Sequence, residues 1–488
     1  MDADLASLSD VAGNQRGEDA LELHAGMNTF AGQEHGVEWA QMRRTEWARL
    51  SAVLAMIALG AHPAAAQAKA PQPAKVVIHA GRLLEVKSGR WLSDQNIYIE
   101  GDKIVRVETA AAKAAPEWTL IDLGNAAVLP GLIDCHVHLT LKPSSFGYEL
   151  LGISEARQTL TGVANARKTL LAGFTTVRNV GAWGFTDVAL RDAINEGDMP
   201  GPRMLVSGMP LSITGGHFDN NLLPWEYHAS FASVADGVEA VQHKVREDIK
   251  YGADLIKFMA SGGVLSKGDD PQASQYSREE MEMIVREAHR LGRKVATHAH
   301  GSQSILWATE AGVDSIEHGS FINDEDIASM KAHGTYLVPT MYIGDFLLDN
   351  IQALHLPEFL AIKARQVLPA AKKNVSHALQ SGVKVAFGTD AGVYQHGLNA
   401  REFNSMVQAG LSPLAAVQAA TVNAADLLGW SDKVGSVEPG KWADLVAVDG
   451  DPLHDVRVLE NIKFVMKGGQ IYRNDYVKEV LKSGDSHQ

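Results

Sequence analysis

The 488-residue sequence contains a single cysteine, Cys135, so no disulfide can form within the chain. That suits either a reducing compartment or an exported protein that does without bridges. Nowhere is there an apolar run of the about 20 residues that a membrane-spanning helix requires. Basic residues are in deficit, with 44 Lys and Arg against 58 Asp and Glu, and the formal net charge is −14. A general nucleic-acid binder would show the opposite balance. No Gly-x-Gly-x-x-Gly follows the first strand of the mixed region, which removes the main signal of a dinucleotide-binding fold. No dense arginine cluster marks a phosphate site, and there is neither a solenoid-type repeat nor a low-complexity block beyond the leader.

What remains is ordinary for a globular enzyme: 45% hydrophobic and 21% charged residues, with enough chain for one barrel-sized domain and a smaller one. Residues 42–68, MRRTEWARLSAVLAMIALGAHPAAAQA, read as a secretory signal peptide. Arg43 and Arg44 precede a short apolar core, and Ala64–Ala66 or Ala66–Ala68 offers a cleavage site. The export this implies puts the protein in the periplasm or outside the cell. Residues 1–41 are a polar extension in front of that leader, which suggests translation from Met42, and KAPQPAK (69–75) is a linker.

Residues 75–127 carry short β runs punctuated by Gly and Asp, and the same texture returns at 434–475. The two ends are therefore expected to build one small composite β-sandwich, followed by a tail at 476–488. Between them, residues 128–433 alternate strand and helix. Eight apolar runs serve as strands: AVLPGLIDCHVH, TTVRNV, RMLVSG, DLIKFM, KVATHAH, DSIEHG, YLVPT and VKVAFGTD. Patterns such as SREEMEMIVREAHRLG supply helices. The fold class is α/β, a (β/α)8 TIM barrel with the composite sheet attached.

Strand alternation puts His136 and His138 on one face and Cys135 on the other. Cys135 then faces the helices as an inert core residue rather than a nucleophile. An H-x-H pair alone is a weak metal signal. It gains weight because Lys257, His298, His318 and Asp390 also fall at carboxyl ends of predicted strands, where barrel active sites form, and because imidazole and carboxylate suit a zinc-like ion. His300 shares the inward face of His298 as a catalytic or substrate-contact candidate. His217 and His396 in strand-end loops, and Tyr342 beyond strand seven, are further candidates for substrate binding.

In order along the chain, GLIDCHVH, Lys257, THAH, IEHG and GTDAGVYQHG resemble the metal signature of the amidohydrolase superfamily. The segment TVNAADLLGWSDKVGSVEPGKWADLVAVDGDP resembles its return into the sheet domain. The resemblance runs from about residue 75 to 475 and is nearest the imidazolonepropionase-like, Xaa-Pro-dipeptidase-related branch. It implies two divalent ions, Zn2+ as the expected metal. His136, His138 and Asp390 would hold one, His298 and His318 the other, with N6-carboxylated Lys257 as the bridge. It also implies Asp390 as the acid–base residue and hydrolysis of an amide. The substrate would be a small molecule or short peptide, cleaved carboxypeptidase- or dipeptidase-fashion, with aryl-acyl conjugates such as ochratoxin A within the class. A cyclic-amide (imidazolone-like) hydrolase and a catalytically inactive binding barrel are the alternatives. Relatives suggest a homo-oligomer; no nucleic acid and no stable membrane insertion are expected.

N-terminal sequencing of the protein from its native host is expected to find a mature start just after Ala66 or Ala68. A mature start before residue 42 would contradict the leader.

Overall fold

The structure, a computed structural model, describes residues 75–110 and 117–476. The leader, the extension before it and the tail beyond Tyr476 lie outside the described residues. Both ends of the described chain enter one mixed sheet of eight strands. From the first part come β1 (Lys75–Glu85), β2 (Arg90–Glu100), β3 (Lys103–Thr109), β4 (Thr119–Asp122) and β5 (Ala127–Pro130). After eight barrel strands, which take the labels between, the chain returns as β14 (Leu445–Val448), β15 (Phe464–Lys467) and β16 (Gln470–Asn474). The order is β16-β15-β14-β5-β1-β2-β3, with β4 on β1.

Alternation along these strands divides the sheet between two cores. Val128, Leu445, Ala447, Phe464 and Met466 join Ile78, Ile97 and Ile99 in a core of the sheet's own. Their neighbours Ala127, Leu129, Val446, Val448 and Val465 face the barrel's core instead. One sheet thus both closes its sandwich and seals the barrel.

The barrel strands are β6 (Leu132–Val137), β7 (Phe174–Asn179), β8 (Arg203–Val206), β9 (Leu255–Met259), β10 (Lys294–Ala299), β11 (Ser315–His318), β12 (Tyr336–Val338) and β13 (Lys384–Val385). They form parallel runs, β6-β7-β8 and β9 to β13. The seam between β8 and β9 is closed by Asp254 N donating to Val206 O (2.7 Å) and Leu211 N to Lys257 O (2.9 Å). The other seam is closed by Cys135 N to Phe387 O and Asp390 N to His136 O, both 2.8 Å. All eight expected strands are present. The first differs in one respect: the run from Ala127 to His138 divides at Gly131, with Ala127–Pro130 in the sheet and the barrel strand starting at Leu132. A Cβ on Gly131 would lie 2.1 Å from Thr175 Oγ1, so only glycine lets the chain cross between layers there.

Helices supply the outer layer for local reasons. In Arg278–Arg290, Met281, Ile284, Val285 and Ala288 recur at helical spacing and are buried, and Ser277 with Glu280 makes a reciprocal capping box. The helix Ser302–Ala311 ends on Gly312 in the left-handed conformation (φ 96°), which glycine adopts without strain. Among the described residues no helix is long and apolar enough to cross a membrane.

Cys135 is fully buried with Ile133 against Ala424, Ala425, Leu427 and Leu428 of the helix Val422–Leu428. Burial pushes its thiol up to about 12, which leaves it protonated and inert. Cys135→Ala is expected to cost about 1 kcal/mol of stability and to leave turnover unchanged. Denaturant titration and steady-state kinetics check this; lost turnover in a folded variant would restore the thiol as a reactive group.

Candidate metal centre

Along β6 the inward face carries Asp134, His136 and His138, stepping from the barrel interior to its mouth. Asp134 is buried, accepts from Thr389 Oγ1 (2.6 Å) and Asn399 Nδ2 (2.8 Å), and so ties β6 to the end of the eighth strand. Gly388 lets the two strands close: a Cβ there would come within 2.8 Å of His136 Cβ. Asp390 then reaches back to the histidines. Its Oδ1 lies 3.2 Å from His138 Nε2 and 3.5 Å from His136 Nε2. Ligand atoms of these three residues all fall within 4.8 Å of one another.

The hydrogen bonds on the far side of each ring decide what those near atoms offer. His138 Nδ1 donates to Gly181 O at 3.0 Å, because a carbonyl can only accept. His136 Nδ1 lies 2.8 Å from Glu317 Oε2 and donates to it. Each far-side bond therefore leaves the ring's Nε2 turned toward Asp390. Burial, with the nearby Lys257 charge, drives the pKa of His136 well below the ordinary imidazole value, so this ring is neutral. Burial alone would raise Asp390, but the field of the groups around it, Lys257 among them, outweighs that and lowers it below the ordinary carboxylate value. Two imidazole nitrogens and a carboxylate oxygen converge on one place. Such a set suits a divalent cation.

Glu317 is the support that sequence reading missed. It is fully buried, and its second oxygen accepts from Arg178 Nη2 (2.8 Å) and Ser315 Oγ (2.6 Å). Arg178 Nε in turn donates to Cys135 O at 2.6 Å. Strands β7, β11 and β6 are thereby linked through one charge network beneath the mouth.

Lys257 shares the inward face of β9 with Met259 and is 2% exposed. Burial lowers its ammonium to about 8, against the opposing pull of Glu317. His298 and His318 meet with ring centroids 4.8 Å apart, and His318 lies 4.9 Å from His136. His298 Nε2 donates to Gly262 O (3.2 Å), leaving Nδ1 as its lone pair. His318 Nδ1 pairs with Thr340 Oγ1 at 2.7 Å.

Glu317 and His318 are consecutive yet both serve the centre, which strand alternation alone forbids. The backbone resolves this: His318 (φ 71°), Thr340 (φ 44°) and Asp390 (φ 60°) are left-handed although none is glycine. Three such residues at the ends of β11, β12 and the eighth strand are strain concentrated at one place, as functional sites hold it.

The centre opens into a cavity of about 1130 Å3. His217 and His300 line it. His217 stacks on His298 (4.3 Å) and is held through Nδ1 by Ser266 Oγ (2.7 Å). His300 Nδ1 pairs with Ser320 Oγ at 2.6 Å. Two other candidates are not brought there. His396 is buried behind β6 with both ring nitrogens used, on Thr169 Oγ1 (2.9 Å) and His138 O (3.3 Å), so it braces the ligand strand and does not face substrate. Tyr342 turns away from the cavity, accepting from Arg401 Nη1 at 2.6 Å, while its neighbours Met341 and Ile343 form the wall. Much of the remaining wall is apolar, including Trp183 stacked on Phe218 at 5.1 Å and, from helices after β12, Leu347 and Phe359.

A sequence profile described as the amidohydrolase family matches residues 127–472. The ochratoxinase of Aspergillus niger is 33% identical over 427 residues, covering 82% of this chain and 87% of that one. Among solved structures, a Xaa-Pro dipeptidase with methionine bound in its active site superposes with a TM-score of 0.78 at 39% identity, covering 82% of this chain and all of the other. The A. niger ochratoxinase structure does so at 0.75 and 30% identity, covering 83% and 97%.

Glu317→Gln is expected to weaken metal binding about 10–100-fold. It also leaves Arg178 without its buried counter-charge, at a cost of about 3–5 kcal/mol. Chelator-competition titration and thermal unfolding read the two effects separately.

Proposed function

Because this chain belongs to the amidohydrolase family and is a metal-dependent hydrolase of C–N bonds, we propose that its centre is binuclear and releases a carboxyl-terminal amino acid from small amides. The observation that carries the reading is the convergence of His136 Nε2, His138 Nε2 and the Asp390 carboxylate, all within 4.8 Å of one another. His298 and His318 would hold a second ion beside the first. A lysine poised near 8 has a free-amine fraction at neutral pH, which supports carboxylation of Lys257 by CO2 into a two-oxygen bridge. Zinc is the expected metal, as histidine and carboxylate donors favour it. Bound divalent ions supply Lewis acidity and bring the pKa of water down toward neutrality.

The chain's own groups do the rest. Asp390, ionised and at the rim of the centre, accepts a proton from the attacking water and returns it to the leaving amine. Glu317 and Gly181 keep His136 and His138 in the required tautomer. His300 and His217 stand where the scissile carbonyl or the substrate's polar end would lie. The apolar walls exclude water and accept a bulky acyl or side-chain group, which supports hydrophobic dipeptides and aryl-acyl amino acids such as ochratoxin A as substrates. The reading extends to an exported enzyme, supported by the leader pattern of residues 42–68.

Chelation is expected to abolish amide hydrolysis, and added zinc to restore it, in a screen of N-acyl amino acids and dipeptides. Asp390→Asn should lower kcat about 10²–10⁴-fold. Lys257→Ala should lose metal and most activity, with partial rescue by short carboxylic acids. Retained metal and turnover in Lys257→Ala, or turnover confined to cyclic amides, would contradict the proposal.

A further inference from the structure

A substrate that ends in a carboxylate brings a negative charge into a cavity with few cations to meet it. Three lysines and no arginine line this cavity among the described residues: Lys257, Lys267 and Lys372. Lys257 belongs to the metal centre. Lys372 Nζ is committed to Asp345 at 2.8 Å. Among the described residues Lys267 has no carboxylate within ion-pair distance; its Nζ touches the Tyr148 hydroxyl at 3.3 Å, with the Tyr148 ring centroid 5.8 Å away. A contact that weak costs little to give up.

The backbone that carries Lys267 is fixed on both sides. Asp269 accepts from Gly263 N (2.8 Å), Ser266 Oγ (2.6 Å) and Lys363 Nζ (2.6 Å). Lys363 Nζ also donates to Gly263 O (2.9 Å) and Ser266 O (2.8 Å), joining this loop to the helix Glu358–Gln380. Ser266 holds His217, whose ring lies against His298. Lys267 is therefore the next residue along a cross-linked loop that touches the centre through His217, and its flexible four-carbon side chain lines the cavity.

We infer that Lys267 is the specificity determinant for the substrate's free carboxylate, selecting N-acyl amino acids over otherwise identical amides that lack the acid. This deepens the proposed reaction and rests on it, so the test separates the two. N-benzoyl-L-phenylalanine and N-(2-phenylethyl)benzamide share the scissile amide and both apolar groups, and differ only in the carboxylate.

The wild-type protein should show a lower KM for the acid. Lys267→Met should raise that KM about 10–100-fold, the range of a charge-assisted hydrogen bond, with kcat held and with KM for the uncharged amide unchanged. Lys267→Arg should restore the preference. Equal KM for the two compounds in the wild-type protein, or a preference that survives Lys267→Met, overturns the inference. Calorimetric Kd values for the same compounds serve if neither is hydrolysed. In that event the amidase reading fails, while a carboxylate preference lost in Lys267→Met still upholds the role of Lys267, and an equal Kd still overturns it.

Discussion

The buried carboxylate of Glu317 is the constraint around which the site is arranged. A charge with no solvent exposure is costly unless every lone pair is met. Here one oxygen takes Arg178 and Ser315 and the other takes His136. Satisfying that one group pulls three strands into register and fixes which nitrogen of His136 carries its proton. Removing Arg178 or His136 would leave the charge stranded, so the network is held by the same cost that makes it expensive.

Above this network the chain gathers metal-ligand groups at one place. His136, His138 and Asp390 converge, and His298 and His318 stand beside them. The left-handed backbone at His318, Thr340 and Asp390 adds strain at the same place. A fold tolerates that cost where a ligand offsets it, and a cation is the ligand that suits such donors. Loops with apolar side chains then roof the centre, which lowers the local dielectric and strengthens every charge interaction within it.

Much of this was legible in the sequence because barrel strands have a period and barrel chemistry has an address. The eight apolar runs became eight strands, and alternation turned Cys135 to the helices and His136 and His138 to the mouth. Alternation could not foresee Glu317, because in a regular strand ending in His318 the preceding residue falls on the opposite face. Only the left-handed turn lets both point inward. Arg178 was hidden for a related reason: a charged residue inside TTVRNV looks like an exposed edge until its partner from β11 is known. His396 and Tyr342 were misjudged because loops carry no period. Their positions after strand ends suggested the cavity, but Thr169 and Arg401 hold them away from it. The sheet domain was readable from texture at both ends, yet Ala127–Pro130 was absorbed into the barrel because nothing in its composition marks the crossing at Gly131.

The central claim is that side chains from five barrel strands are arranged for metal ions and not merely for one another. Anomalous diffraction from crystals of the zinc-loaded protein, recorded on both sides of the zinc edge, addresses it directly. The account predicts one peak among His136, His138 and Asp390, a second beside His298 and His318, and density continuous from Lys257 Nζ between them. Absence of any peak at the barrel mouth, with the histidines bonded to one another or to water, would contradict it.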